Sequence, residues 1–117
     1  MVKLTESEEF VMKAVWDSDK EPVLSDVVAG ARETYKKDWM PQTVSTFLAK
    51  LVQKKYLKLQ RKGKIYTYKI LIKESAYKQK LYKHLIDFWY NGDASEFVLS
   101  MIQNGDLSKE QLDQLVD

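Results

Sequence analysis

The chain has 117 residues and a net charge of +2, and 44% of its residues are hydrophobic and 31% are charged. This length favours one compact domain, with or without a small helical appendage, and the hydrophobic fraction argues against wholesale disorder. The absence of cysteine excludes a disulfide framework, a thiolate nucleophile, an iron–sulfur cluster and a thiolate zinc site. No apolar run approaches the roughly 20 residues that span a bilayer and the N-terminus lacks a signal core, so we expect a cytoplasmic protein with no membrane insertion.

Two short helices are predicted in the first 35 residues. The Thr5-x-x-Glu8 pattern is a capping box, and the first helix extends from it to about Trp16, with Glu8 and Glu9 on its surface. The residues at helical spacing that should face the core are Val11, Met12, Val15 and Trp16. A loop and a very short strand at 23–24 follow. Ser25 should then cap a second helix over about 26–35, which buries Val27, Val28 and Ala31.

The third helix has the clearest amphipathic pattern in the chain. Pro41 suits its first turn, because proline lacks the N–H that would be unpaired there. Apolar residues follow at helical spacing: Val44, Phe47, Leu48, Leu51 and Val52. The opposite side has short hydrogen-bonding side chains near the start and basic ones near the end.

A β-hairpin should follow the third helix. Alternation at 57–60 and the β-branched and aromatic residues at 65–70 predict two strands, separated by Arg61–Lys64. Gly63 can supply the positive φ that the turn needs. Tyr66 and Tyr68 share one strand side, which we expect to pack inward with Leu57 and Leu59 or to seal the base of the hairpin.

The rest of the chain is predicted to be helical and differs in charge. Residues 1–72 contain 14 Lys/Arg and 9 Asp/Glu and are therefore basic. Residues 73–117 contain 5 Lys/Arg and 8 Asp/Glu and are therefore acidic. Helices are predicted over about 74–90, ending at Asn91-Gly92, over about 95–103, and from a Ser108–Gln111 capping box. About 40 residues cannot build a sufficient core, so a second copy of the chain is the simplest partner. The predicted dimer-interface residues are Leu81, Leu85, Phe88, Trp89, Phe97, Val98, Met101, Ile102, Leu112 and Leu115.

Three helices followed by a hairpin define the winged helix-turn-helix plan. The predicted fold is therefore mainly α with a small β-hairpin: a winged-helix DNA-binding domain over 1–72 and a helical dimerisation domain over 73–117. Residues 40–72 contain eight basic and no acidic residues, which favours a polyanionic partner over a merely solvated surface. The predicted base contacts are Gln42, Thr43 and Thr46, and the predicted phosphate contacts are Lys50, Lys54, Arg61, Lys62 and Lys64.

The sequence resembles the BlaI/MecI/CopY penicillinase-repressor family of bacterial transcriptional regulators over nearly its whole length. The similar segments are Leu4-Thr5-x-x-Glu8 with Val11-Met12-Lys13-x-Val15-Trp16, then Trp39-x-x-x-Thr43-Val44-x-Thr46-Phe47-Leu48-x-x-Leu51-Val52-x-Lys54, Gly63-x-x-x-x-Tyr68 and Phe88-x-Tyr90-Asn91-Gly92. Tyr56 stands where the family usually has the glycine that ends the recognition helix. Met40 stands where a capping residue is common.

The resemblance implies a homodimeric repressor that binds a palindromic operator on double-stranded DNA. In the beta-lactam branch a membrane-bound sensor protease system triggers cleavage of the repressor within a Val-Leu-Asn-Phe context. The matching positions here read Val98-Leu99-Ser100-Met101, so a regulatory cleavage would fall at Ser100 and Met101 and the dipeptide differs. The cysteine-rich motif of the copper-responsive branch is absent from the sequence.

Other functions have less support from the residues. A winged-helix module for protein–protein contact is the alternative, and it predicts an exposed apolar patch on the third helix. His84, the one histidine, has no cluster of ligands in the sequence around it, so we expect no metal site, no cofactor and no Ser-His catalysis. No set of residues suggests a nucleophile with a base, and we therefore expect no enzyme activity.

Overall fold

The computed structural model describes residues 1–116. The elements in chain order are α1 (Glu6–Trp16), α2 (Leu24–Tyr35), α3 (Pro41–Gln53), β1 (Leu57–Lys62), β2 (Ile65–Ile70), α4 (Glu74–Trp89), α5 (Ala94–Gln103) and α6 (Lys109–Val116). The first three helices contact one another and α3 contacts β1. This is the predicted winged helix-turn-helix arrangement in a mainly helical chain. None of the described helices is long and apolar enough to cross a membrane.

The start of α1 has the predicted capping box. The backbone N–H of Glu8 donates to Thr5 Oγ1 at 3.2 Å, and the backbone N–H of Thr5 donates to Glu8 Oε1 at 2.8 Å. Two amide groups that would otherwise lack partners are thereby satisfied. The helix ends at Trp16 as predicted.

The start of α2 differs from the prediction. Val23 is the N-cap and Leu24 is already helical, so there is no short strand at 23–24 and Ser25 is not the cap. Asp26 accepts a hydrogen bond from the Val23 backbone N–H at 3.0 Å, which supplies half of a capping box. The preceding carbonyl, that of Pro22, accepts from the Tyr68 backbone N–H at 3.0 Å. This link to β2 holds the chain extended up to Val23.

The core of the N-terminal part lies between α1, α2, α3 and β1. Its buried apolar residues include most of those predicted: Val11, Met12, Val15, Val27, Val28, Ala31, Val44, Leu48 and Leu51. Trp16 is only half-buried, and its indole N–H donates to the Ile72 carbonyl at 3.0 Å. Tyr56 is fully buried and its hydroxyl donates to the Val2 carbonyl. On the apolar side of α3, Phe47 and Val52 are half-buried.

A lysine, in place of a glycine, closes α3. Lys55 has φ of 68°, in the left-handed region. The Tyr56 N–H donates to the Leu51 carbonyl at 3.0 Å and the Lys55 N–H donates to the Val52 carbonyl at 3.1 Å. This pair of bonds is the Schellman motif, in which the left-handed residue precedes the position of Tyr56. The unusual Tyr56 is thus a buried core residue directly after the helix end.

The hairpin, which we call the wing (residues 57–70), is antiparallel and longer at its tip than predicted. Leu57 pairs with Ile70 and Lys62 pairs with Ile65, so only Gly63 and Lys64 form the turn. Gly63 has φ of 66°, as predicted. Arg61 and Lys62 belong to β1, because the alternation of sides continues through them.

The tyrosines of the wing share a side but do not both face inward. Leu59 pairs with Tyr68, and the next pair on that side includes Tyr66. Tyr66 and Leu59 are exposed, so the inward packing expected for these two residues is wrong, whereas Tyr68 is half-buried. The buried residue of β2 is Thr67, on the opposite side. The buried residues of the wing are thus Leu57 at its base and Thr67 midway along β2.

The chain divides into two compact units, Met1–Glu74 and the residues from Ser75 onward. The C-terminal unit consists of the rest of α4 with α5 and α6. Asn91 and Gly92 end α4 with positive φ, and Ser108 and Gln111 form a reciprocal capping box at α6, both as predicted. Among the described residues of this unit only Tyr77 is buried.

Candidate nucleic-acid interface

The first two turns of α3 expose a small polar surface. It consists of Gln42, Thr43 and Thr46, which we call the reading surface, and all three residues are exposed. The Thr46 hydroxyl donates to the Gln42 carbonyl at 3.0 Å, which uses its proton within the helix and leaves its oxygen lone pairs and methyl group accessible. A hydroxyl acceptor, a methyl group and a primary amide are groups that can match base edges in the major groove.

Buried and aromatic contacts hold α3 in place behind the reading surface. Val44 and Leu48 have no exposed surface. The rings of Trp39 and Phe47 lie 5.1 Å apart, so the residue pair joins the entry of the helix to its second turn. Lys37 lies 4.6 Å from the centre of the Phe10 ring and 6.0 Å from that of Trp39. The exposed polar side therefore belongs to a helix whose orientation is fixed by packing.

Two of the predicted phosphate contacts have exposed, unpaired charges. Lys50 is exposed on α3 and Lys64 is exposed in the turn of the wing, and neither takes part in the ion pairs found within residues 1–116. Arg61 is also exposed, although its Nε donates to the Gly63 carbonyl at 2.8 Å and its guanidinium lies 5.7 Å from the centre of the Tyr66 ring. These three cations are available to a polyanion.

Lys54, the predicted phosphate contact at the end of α3, has an internal partner. Its Nζ lies 2.5 Å from Glu8 Oε1, and the Glu8 side chain is 2% exposed. Burial raises the pKa of Glu8, but hydrogen bonds from Lys54 and Thr5 outweigh it and hold the pKa below its usual range. The expectation that Glu8 lies on the helix surface is wrong, because the carboxylate caps α1 and pairs with Lys54 at the same time.

Lys62 in the wing also has an acidic partner. Its Nζ lies 3.0 Å from Glu21 Oε2, in the loop between α1 and α2. Sequence reasoning missed both Glu8 and Glu21 as partners of predicted DNA-contacting lysines. The capping-box spacing identified a role for Glu8, but no local pattern links either acid to a lysine more than 40 residues away.

The C-terminal unit exposes the apolar residues predicted for a dimer interface. Phe88 is 65% exposed, Trp89 71% and Leu115 73%, and Leu81, Leu85 and Ile102 are also exposed. Phe97, Val98, Met101 and Leu112 are half-buried. The Phe88 and Trp89 rings lie 4.9 Å apart in an edge-on arrangement. Such a set of large apolar side chains is typical of a surface that another chain covers.

The predicted cleavage position lies within regular helix. Ser100 and Met101 are half-buried in α5. The Ser100 hydroxyl donates to the Phe97 carbonyl at 3.0 Å and lies 3.1 Å from the Tyr90 hydroxyl oxygen. A protease would reach this bond only after local unfolding of α5.

Within residues 1–116 there is no group of three or more His, Asp or Glu side chains that could hold a metal ion.

The fold and the exposed polar helix define a winged helix-turn-helix protein. The penicillinase repressor family matches residues 4–117, and the chain belongs to that family. It is 32% identical to the methicillin resistance regulatory protein MecI of Staphylococcus aureus (strain N315) over 80 residues, which cover 68% of this chain and 65% of MecI. The chain thus spans about two thirds of that relative.

Longer alignments exist to other relatives. The chain is 27% identical to the penicillinase repressor of Bacillus licheniformis over 113 residues, covering 97% of this chain and 86% of that protein. A solved structure of the BlaI monomeric form from Bacillus licheniformis in complex with the blaP half-operator has a TM-score of 0.54 and 28% identity, and covers 65% of this chain and 89% of that chain. The names of these relatives are those of repressors and a regulatory protein, in agreement with the prediction that the chain is not an enzyme.

Proposed function

We propose that the chain is a sequence-specific DNA-binding repressor in which α3 enters the major groove. The single observation that supports this most directly is the reading surface, three exposed polar residues on a helix whose other side contains the buried Val44, Leu48 and Leu51. Short polar side chains at the N-terminal end of a recognition helix can approach base edges closely. Thr43, Thr46 and Gln42 are the proposed base contacts.

Phosphate contacts would come from the end of α3 and from the wing. Lys50, Lys64 and Arg61 are exposed cations on these two elements, and Lys62 is largely exposed although paired. Lys54 remains a proposed phosphate contact, and a phosphate at that position would share its ammonium group with Glu8. Contacts of this kind set register and affinity without reading sequence. The relative BlaI has been solved in complex with the blaP half-operator, which supports DNA as the partner.

Two copies of the chain would occupy a palindromic operator. The exposed apolar residues of α4, α5 and α6 support dimerisation, because a soluble monomer would leave Phe88, Trp89 and Leu115 in water. Two-fold symmetry of the protein then requires two-fold symmetry of the site, with half-sites about one helical turn or a multiple of it apart. Residues 1–72 would bind DNA and residues 73–117 would hold the dimer together, in the cytoplasm.

Release of the operator would follow cleavage between Ser100 and Met101, by a sensor protease system or its effector. Such a cut would separate the end of α5 and all of α6 from the rest of the dimer surface. Because both residues lie in regular helix, the cut needs prior local unfolding of α5. Incubation with extract from induced cells should then give one fragment that ends at Ser100, and cleavage elsewhere would contradict this part of the proposal.

A protein–protein module is less well supported. That alternative predicts an exposed apolar patch on α3, whereas the exposed residues of α3 beyond Pro41 are polar, charged or alanine.

The test that separates the two functions is duplex binding as a function of salt. Each phosphate contact contributes about 0.9 to the slope of log K against log salt. Lys64→Ala should lower the slope by about that amount and Lys83→Ala, on α4, should leave it unchanged. If Lys64→Ala and the wild type have equal slopes, the wing does not contact the DNA phosphates.

A further inference from the structure

Glu21 connects the loop before α2 to the wing through two side chains. Its Oε2 lies 3.0 Å from Lys62 Nζ and accepts a hydrogen bond from the Thr67 hydroxyl at 3.4 Å. The hydrogen bond from Lys62 holds the pKa of Glu21 below its usual range, so the carboxylate is charged at neutral pH. A negative charge therefore lies directly beside one of the cations proposed to contact DNA.

We propose that Glu21 is an internal competitor of DNA phosphate for Lys62 and thereby limits the affinity of the wing for DNA of any sequence. The inference rests on the proposed function, since it assumes that the wing meets phosphates. A carboxylate and a phosphate offer the Lys62 ammonium the same kind of charged acceptor oxygen. Binding of DNA then exchanges one acceptor for the other, and the loss of the Glu21 contact offsets part of the gain.

The exposure of the pair allows this exchange. The Lys62 side chain is 65% exposed and that of Glu21 is 33% exposed, and ion pairs in such surroundings are weak. The Lys54–Glu8 pair is different, because its carboxylate is buried and also caps α1. Of these two pairs, the Glu21 pair alone can separate without leaving a buried charge unpaired.

Thr67 keeps the competitor in place. It is the buried residue of β2, and its hydroxyl donates to the same Oε2 atom that Lys62 approaches. When Lys62 turns to a phosphate, Thr67 can continue to hold the Glu21 carboxylate near the wing. The carboxylate therefore stays close enough to compete for Lys62 again.

The test is a double-mutant cycle on binding to a mixed-sequence DNA duplex. Glu21→Gln keeps the side-chain shape and the oxygen that accepts from Thr67, and it should raise the affinity roughly 2–5-fold at about 0.1 M salt. Lys62→Ala should lower the affinity. In the Lys62→Ala background, Glu21→Gln should change the DNA affinity no more than the loss of an acidic residue elsewhere on the loop does. Asp19→Asn, an exposed acid in the same loop, measures the effect of a distant charge.

Each outcome decides the inference. A gain from Glu21→Gln that exceeds that of Asp19→Asn and disappears in the Lys62→Ala background supports it. An unchanged or lower affinity of Glu21→Gln overturns it, as does a gain larger than that of Asp19→Asn that persists in the Lys62→Ala background. If the wild-type chain fails to bind duplex DNA, the proposed function fails and this inference fails with it, whereas wild-type binding that Glu21→Gln leaves unaltered contradicts the inference alone.

Discussion

Glu8 and Lys54 join the first turn of α1 to the end of α3, with 2.5 Å between Oε1 and Nζ. The same Glu8 oxygen accepts the Thr5 backbone N–H, so one carboxylate closes α1 and anchors the helix proposed to enter the DNA groove. A buried charge that loses its partner is costly, whereas a paired and hydrogen-bonded one is tolerated. The pair therefore links the start of α1 to the end of α3, the helix that contains the reading surface.

Glu8→Gln should destabilise the fold. Glutamine can still accept from Thr5, but Lys54 loses its charged partner, and a hydrogen bond to a charged group contributes about 1.5–3 kcal/mol. We expect the free energy of unfolding in urea to fall by about 1–3 kcal/mol. Glu6→Gln, an exposed substitution in the same turn of α1, should change it by less than about 0.5 kcal/mol. Equal effects of the two variants would show that the buried pair adds nothing.

The contribution of Glu8 should depend on pH. Its pKa is lower in the folded protein than the ordinary value of 4.5, so the folded state favours the carboxylate. The contribution is then fully present above pH 4.5 and is lost as the pH falls through the folded-state pKa. The difference in unfolding free energy between wild type and Glu8→Gln should shrink over that acidic range. A difference that stays constant down to the acid transition would contradict the assignment.

Lys55→Gly should stabilise the protein. Lys55 has φ of 68°, and a non-glycine residue in the left-handed region costs roughly 1–2 kcal/mol. Glycine removes that strain but gains freedom in the unfolded chain, so we expect a net increase of about 0.5–1 kcal/mol. Thermal unfolding measures it directly. Lys50→Gly, within α3, is the control and should destabilise, because glycine lowers helix propensity. If Lys55→Gly is less stable than the wild type, the backbone of Lys55 is not strained.

The end of α3 illustrates what the sequence could and could not predict. The spacing of Val44, Leu48 and Leu51 identified the helix and its buried side, because periodicity is a local property. Two features were missed, the left-handed Lys55 and the Lys54–Glu8 pair. The first lacks the glycine that normally marks it. The second joins residues from different helices, which no local pattern can reveal.

Thr46→Ala should weaken specific binding. If its hydroxyl and methyl contact a base pair, their loss should cost about 1–3 kcal/mol on the preferred sequence and almost nothing on unrelated DNA. Competition titrations with both duplexes measure the difference. Thr34→Ala makes the same change at an exposed position of α2 and should affect neither duplex. An equal loss on both duplexes with Thr46→Ala would mean that the residue does not read sequence.

Phe88→Ser should weaken the dimer. Phe88 is 65% exposed beside Trp89, and a buried aromatic at the centre of an interface often contributes 2 kcal/mol or more, as an order-of-magnitude estimate. Sedimentation equilibrium should give a dissociation constant at least about tenfold higher than that of wild type. Lys83→Ala changes a residue on nearly the opposite side of α4 from Phe88, and it should leave the dissociation constant unchanged. A wild-type chain that sediments as a monomer would contradict dimerisation itself.

The candidate site was predictable in its local parts. Gln42, Thr43 and Thr46 follow from the polar side of one amphipathic helix, and all three are exposed. The wing tip was placed too early, because the alternation of β1 continues through Lys62. Glu21 was not identified at all. Its role depends on the fold bringing a loop before α2 to the hairpin, a tertiary relationship that charge counting along the chain does not contain.

The proposed function requires that α3 reads DNA sequence and that the chain binds as a two-fold symmetric dimer. The most direct test is selection of bound DNA from a random duplex library by the full chain at near-physiological salt. We expect enrichment of one palindromic motif, with half-sites about one helical turn or a multiple of it apart, and loss of that motif with Thr46→Ala. Recovery of no motif, with only weak and salt-sensitive binding, would contradict it.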